Sequence, residues 1–249
     1  MPLTLATSWA VRAAAAEPVA VVRVRNLQAV TEAASDAWGR PSKPQPLLIS
    51  AEISFSQPFT TAAAQDCLTA ETVHYGTLSR AILNALEGST LMLSANQVGL
   101  HRIVHDIWLH LTGQHLSTGQ ESTTEGHLLS AEVRNGIQFL SITATLPKAS
   151  LLGTGVSFTA SAAFNARMYS TELRLHELRV PTLVGMNDNE RLAKQFIVIT
   201  VALDMLRDIP GDFYVEAEAL VVKVCTHNTT PLIWGMALDI NISRPANHL

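Results

Sequence analysis

A two-strand pattern followed by helical periodicity begins twice in this chain, and no other feature restricts its fold as much. Val22 and Val24 alternate with Arg23 and Arg25; Leu47, Ile49, Ala51, Ile53 and Phe55 then alternate with Ser50, Glu52 and Ser54. A period of two marks strands with one apolar face. The turn-rich stretch Ser35-Asp36-Ala37-Trp38-Gly39-Arg40-Pro41 between them predicts an antiparallel hairpin seated on a core. Leu78, Ile82 and Leu86 then recur at helical spacing with Gly88 as the expected stop, and Val104, Ile107, Trp108 and Leu111 mark a second amphipathic helix. Polar residues over 114–126 read as an exposed loop, and strands are expected over 137–146 and 156–164.

The same order then starts again. Leu173 and Leu175 alternate with Arg174 and His176, a second strand is expected over 196–203, and Ala217, Leu220, Val221 and Val224 restore helical spacing. A last strand is expected within 232–242. The short interval before that helix leaves its companion helix missing or vestigial, and little chain follows Arg244-Pro245 for a closing strand. The reading is therefore α+β: antiparallel sheets with helices on one face, built from a tail (1–18), a first unit (19–166) and an abbreviated second unit (167–249). An abbreviated unit exposes unpaired strand groups, which need a partner.

Composition excludes several functions. No apolar run approaches the ~18 residues of a membrane span. A net charge of −4 provides no basic face for a phosphate backbone, so nucleic acid is not an expected partner. Cys67 and Cys225 are too few for a disulfide framework or a zinc site, which suits a reducing, cytoplasmic setting. Residues 1–16 are Ala-rich with Arg12 as their one basic side chain; they lack the pattern of a secretory signal and read as a frayed or lightly docked tail. His101, His105 and His110 share one predicted helix, but without an evident third ligand beside the His101/His105 pair no metal is expected. There is no P-loop, no dinucleotide fingerprint and no His-Glu-x-x-His.

Three short motifs carry chemistry. Thr72-Val73-His74-Tyr75 opens the first helix, Leu146-Pro147-Lys148-Ala149 ends a strand, and Gly185-Met186-Asn187-Asp188-Asn189-Glu190-Arg191 lies in the loop between the two strands of the second unit. Together they resemble the dihydroneopterin aldolase family of the tunnelling fold, in a tandem arrangement similar to the front of a fungal folate enzyme. The resemblance implies sheets joined side by side into a ring, which two units per chain would let a dimer or tetramer close. It also implies a small planar heterocycle as substrate and no cofactor. A family carboxylate anchors the amino-pyrimidine edge, a fit for two parallel charge-assisted hydrogen bonds. A lysine and a tyrosine, with water, move the protons of a retro-aldol step.

Carried over residue by residue, Tyr75 and Lys148 match the tyrosine and lysine, and Glu190 matches the loop glutamate. Glu218, in Ala217-Glu218-Ala219-Leu220, matches the anchor. In the first unit Gly39 stands where many members carry the loop glutamate, and His101 stands near the anchor position. In the second, Arg244 takes the place of the lysine, and its pKa above about 12 prevents it from cycling protons. One composite site would join Tyr75 to Glu190, Glu218 and Arg244, and an opposite junction would hold Lys148 and His101. Catalytic roles are expected for Tyr75, Lys148 and Glu190, and binding roles for Glu218, Arg244 and His101. Three functions remain open at this point: a dihydroneopterin aldolase-like lyase, a repurposed enzyme of the same fold catalysing an aldol, isomerisation, dehydration or cyclisation step in specialised metabolism, and a non-catalytic ring-forming binding protein.

Overall fold

The computed structural model describes residues 3–41, 43–66, 73–92, 99–122, 127–129, 133, 136–183, 192–207, 211–227 and 241–243. Glu190, Arg244, Thr72, Cys67 and the strand expected over 232–240 lie outside them.

The alternating segments form one antiparallel meander. Strands β2 (Ala20–Thr31), β3 (Gln45–Phe55), β4 (Ile137–Leu146), β5 (Gly155–Ala163), β6 (Met168–Thr182), β7 (Gln195–Asp204) and β8 (Asn241–Ser243) pair in chain order. The sheet is open, with β2 and β8 as the outer strands of the path. Short β1 (Thr4–Leu5) pairs in parallel with Met168 and Tyr169, beside the part of β6 that β7 does not reach. The result is the expected α+β architecture. A four-residue turn over 164–167 joins β5 to β6, which are bonded over their paired lengths, Gly155 opposite His176 and Ala163 opposite Met168.

One sheet face is apolar because alternate residues put Leu47, Ile49, Ile53, Leu140, Ile142, Val156, Leu173 and Leu175 into a common core. Against it pack α3 (Tyr75–Met92) and α4 (Leu100–Thr112), while α5 (Phe213–His227) contacts β6; a short α2 (Thr60–Gln65) precedes them. Helix α4 buries Ile103, Val104, Ile107, Trp108 and Leu111 and stops at Gly113, whose φ of 69° returns its N–H to Leu109. Helix α3 does not stop at Gly88; it continues to Met92. Burial of Leu78, Ile82 and Ala85 outweighs the ~1 kcal/mol a mid-helix glycine costs. The 114–122 segment is less exposed than its polarity suggests: Gln114 bridges Glu121 and Leu116 is 7 % exposed.

The opposite face is polar, and the chain's first residues dock on it. Residues read as a frayed or lightly docked tail form α1 (Ser8–Ala15), capped by Thr7, whose Oγ1 accepts from Ala10 N–H at 3.2 Å. Val11 and Ala15 meet Phe139 and Ala163 in a small second cluster. Ser8 Oγ lies 2.8 Å from Glu172 Oε2 and 2.7 Å from Asp204 Oδ2, close enough to donate to either. Arg12 reaches Glu52 at 2.7 Å and stands 4.3 Å over the Phe139 ring.

Glu52 ties this helix to pH. Burial works against its charge, but hydrogen bonds from Arg12 and Arg23 outweigh that and hold its carboxyl below the ordinary value of 4.5. A carboxylate depressed in this way stabilises the fold above its unfolded pKa and loses that contribution as pH falls through the folded one. Glu52→Gln should therefore cost stability at neutral pH, at most about 1 kcal/mol because both guanidiniums are half exposed. The difference from the native chain should vanish in acid. Urea midpoints at neutral and acid pH check this.

Hairpins β2–β3 and β6–β7 share one irregularity. Each slips register at a bulge, between Val24 and Leu27 and between Leu175 and Leu178. In each the extra residue is left-handed, Asn26 at φ 52° and Glu177 at φ 51°. Each donates its N–H to a hydroxyl on the neighbouring strand, Ser50 Oγ at 3.0 Å and Thr200 Oγ1 at 3.2 Å. Asparagine tolerates that conformation better than glutamate. Glu177→Gly should raise stability by about 0.5–1 kcal/mol, measured as a higher urea midpoint at unchanged slope.

Candidate functional site

The turn after β4 joins two of the sequence-derived residues. Lys148 follows Leu146-Pro147 and is exposed, and the chain then folds back over 149–154 to enter β5. Ser150 Oγ accepts from Gly153 N–H at 2.7 Å, and the turn is fastened to β6 by Thr154 N–H donating to His176 O and Arg179 N–H donating to Leu152 O, both at 2.9 Å. A Cβ at Gly153 would collide with the His176 carbonyl, so only glycine lets the turn approach so closely. Two further amides of the turn go to Glu218. Its Oε1 accepts from Leu151 N–H at 3.1 Å and from Leu152 N–H at 2.9 Å.

Glu218 is 7 % exposed and lies in the second turn of α5, not at its start, so its charge faces a loop and not the helix's own N-terminus. Among the described residues its Oε2 accepts no hydrogen bond. Tyr214, one turn earlier, donates its phenol to Ser35 O. Burial, then the nearby charges of Asp212 and Asp36, push that phenol well above its usual pKa. Helix α5 is thus fixed at two points: on the loop between β2 and β3, and on the Lys148 turn. That loop is itself ordered around Asp36, which accepts from Trp38 N–H, Arg40 N–H and Arg40 Nε within 2.9 Å.

The remaining expected residues sit elsewhere. Tyr75 is the first residue of α3 and 64 % exposed; its ring lies 4.5 Å from that of His74, and its carbonyl accepts from Ser79 Oγ. Within the described chain its contacts do not link it to Glu218. His101, in the first turn of α4, stands edge-on to Phe158 at 6.4 Å and lines a cavity of about 430 Å³ above β5 and β6. Glu218 and the Lys148 turn are therefore brought together, where the sequence groups Glu218 with Tyr75 and Lys148 with His101. The residues missed were the amides of Leu151 and Leu152, and Tyr169 and Arg207 in the cavity wall. The amides have no side-chain signature, and Tyr169 falls within an ordinary alternating strand.

No protein-family model matches the sequence, and no curated protein matches it. Among solved structures, the chain is similar to Escherichia coli dihydroneopterin aldolase in complex with neopterin, at 16% identity and a TM-score of 0.39 over 58% of this chain and 100% of that one. It is similar to a Vibrio cholerae protein assigned as a dihydroneopterin aldolase, at 17% identity and a TM-score of 0.39 over 58% of this chain and 97% of that one. It is also similar to a Bacillus fastidious uricase, at 8% identity and a TM-score of 0.47 over 75% of this chain and 63% of that one. No helix among the described residues is long and apolar enough to cross a membrane.

Proposed function

We propose that the chain is an aldolase-type carbon–carbon lyase acting on a planar heterocycle, with a dihydropterin as the first substrate to test. The observation that carries this reading is the bonding of Glu218 to the amides of Leu151 and Leu152, which couples an anchoring type of carboxylate to the turn bearing Lys148. Glu218 Oε2 would accept from the amino-pyrimidine edge. Lys148, with water, would take the proton of the side-chain hydroxyl just beyond the bond that breaks, and would return a proton to the side-chain carbon that stays on the ring and becomes the hydroxymethyl group. The products are a hydroxymethyl pterin and glycolaldehyde. Glu190 and Arg244 complete the site, and the exposed Tyr75 of a neighbouring chain contributes the second proton-handling group.

The matched bulges at Asn26 and Glu177 support reading 19–166 and 167–249 as two repeats of one unit. Among the described residues, the outer edges of β2 and β8 pair with no strand, which supports assembly because uncovered strand edges seek pairing; the expected assembly is a dimer or tetramer that closes a ring. Incubation with dihydroneopterin, followed by chromatography for the hydroxymethyl product, tests the activity. A folded oligomer that neither turns over nor binds pterin removes it. A second reading, an enzyme of this fold acting on a different enolisable ring compound, draws support from Glu218 Oε1. That oxygen already holds two amides, which leaves one oxygen where a pterin edge is best met by two. Pterin-free turnover of another ring ketone or enol would favour it.

A further inference from the structure

We infer that the cavity beside the first turn of α4 is a binding site for a small aromatic carboxylate, distinct from the Glu218–Lys148 site. Its volume of about 430 Å³ falls in the range of roughly 300–1,000 Å³ that small-molecule pockets occupy. One wall is apolar, including Leu116 and Phe158; the polar groups facing it include His101, Arg102, Tyr169 and Arg207. None of the described residues lining it carries a carboxylate. An amino-pyrimidine edge presents donors and needs an acidic acceptor, so this cavity selects a different chemistry from the one proposed for Glu218.

Two observations point to an anion. Tyr169 is 5 % exposed and lines the cavity, and among the described residues its phenol has no hydrogen-bond partner. A ligand oxygen would supply it. The charges around the cavity are also unbalanced. Arg102 is held by Asp106 at 2.9 Å, and that carboxylate lies 3.6 Å from His105 Nδ1; Arg207 has no ion-pair partner among the described residues. Among the described residues, one guanidinium without an ion-pair partner therefore faces a half-apolar space, the complement of a ring bearing one negative group. The neighbouring hydroxyl of Thr171 is already spent as a donor to Leu206 O at 2.6 Å, and Tyr169 and Arg207 are the donors assigned to the ligand. Phe158 stands three residues from Gly155 along β5, about 10 Å from the strand end at the Lys148 turn, so the two sites can be read separately.

Calorimetric titration of the full chain with benzoate, benzamide and inorganic phosphate tests the site. Benzoate should bind saturably and at least about tenfold more tightly than either of the others, since benzamide lacks the charge and phosphate the ring. Arg207→Gln and Tyr169→Phe should each weaken benzoate by about tenfold, with thermal melts showing both variants folded. Lys148→Ala should leave benzoate binding unchanged, whatever it does to turnover. Equal binding of benzamide or phosphate, no saturable benzoate binding, or benzoate binding that ignores Arg207→Gln and Tyr169→Phe would each overturn the assignment. Loss of benzoate in Lys148→Ala would also overturn it, by placing the ligand at the other site.

Discussion

Lys148→Ala should lower turnover of dihydroneopterin by on the order of 10²–10⁴-fold while leaving the melting temperature of the protein almost unchanged. The side chain is exposed and, among the described residues, forms no ion pair or hydrogen bond, so its removal takes nothing from the core. The loss would fall on kcat, because the proposed role is to move a proton during bond cleavage and not to hold the substrate. Lys148→Arg separates charge from proton transfer. Arginine keeps the positive charge but cannot release a proton near neutrality, so it should be nearly as inactive as alanine. An arginine variant with most of the native rate would reduce the lysine to an electrostatic role. An alanine variant with unchanged kcat would move the chemistry away from this turn.

Much of the architecture was visible in the sequence because alternation records which sheet face is buried. Leu47 to Phe55 and Leu173 with Leu175 gave the strands, and α4 was plain from Ile107, Trp108 and Leu111. Even the bulges left a trace: the inward residues step from Val24 to Leu27 and from Leu175 to Leu178, three positions where an unbroken strand takes two. What escaped notice depends on partners distant in the chain. Helix α1 has only eight residues, too few to be stable alone. Contacts from Ser8 to Glu172 and Asp204, and from Arg12 to Glu52, hold it in place. Gly88 looked like a stop because local propensity cannot register the burial of Ile82 and Ala85.

The candidate site divides along the same line. Motifs picked out Lys148, Tyr75 and Glu218 by residue type, but could not show which of them meet. Glu218 was legible as an acidic residue in a helical Glu-Ala-Leu run. Its acceptors' partners, two main-chain amides 66 and 67 residues away, carry no mark in the sequence. The cavity near His101 was equally hidden, since Arg207, Tyr169 and Phe158 come from three separate segments.

Glu218 should answer differently to alanine and to glutamine, and the contrast separates its two possible roles. Alanine strips the acceptor from Leu151 and Leu152 N–H in a site where Glu218 is only 7 % exposed. Hydrogen bonds to a charged group contribute about 1.5–3 kcal/mol, and here two part-buried amides of the turn lose their acceptor. Glu218→Ala should therefore lose about 2–3 kcal/mol of stability in urea, and the Lys148 turn should become more sensitive to proteolysis. Glutamine keeps an acceptor oxygen for both amides, so its loss should stay below about 1 kcal/mol, the difference between a charged and a neutral bond. Pterin affinity should nevertheless fall in the glutamine variant, because the side-chain amide must present either its oxygen to the turn or its oxygen to the ligand. With only Oε2 available to the ligand in the native chain, the expected loss is about tenfold, the lower end of what a charge-assisted bond supplies. Calorimetry with a pterin, run beside urea denaturation of all three proteins, reads both effects. If alanine destabilises the fold while glutamine binds pterin as tightly as the native chain, Glu218 is a clamp for the Lys148 turn, and the substrate's anchor has to be sought elsewhere, with Glu190 the next residue to replace.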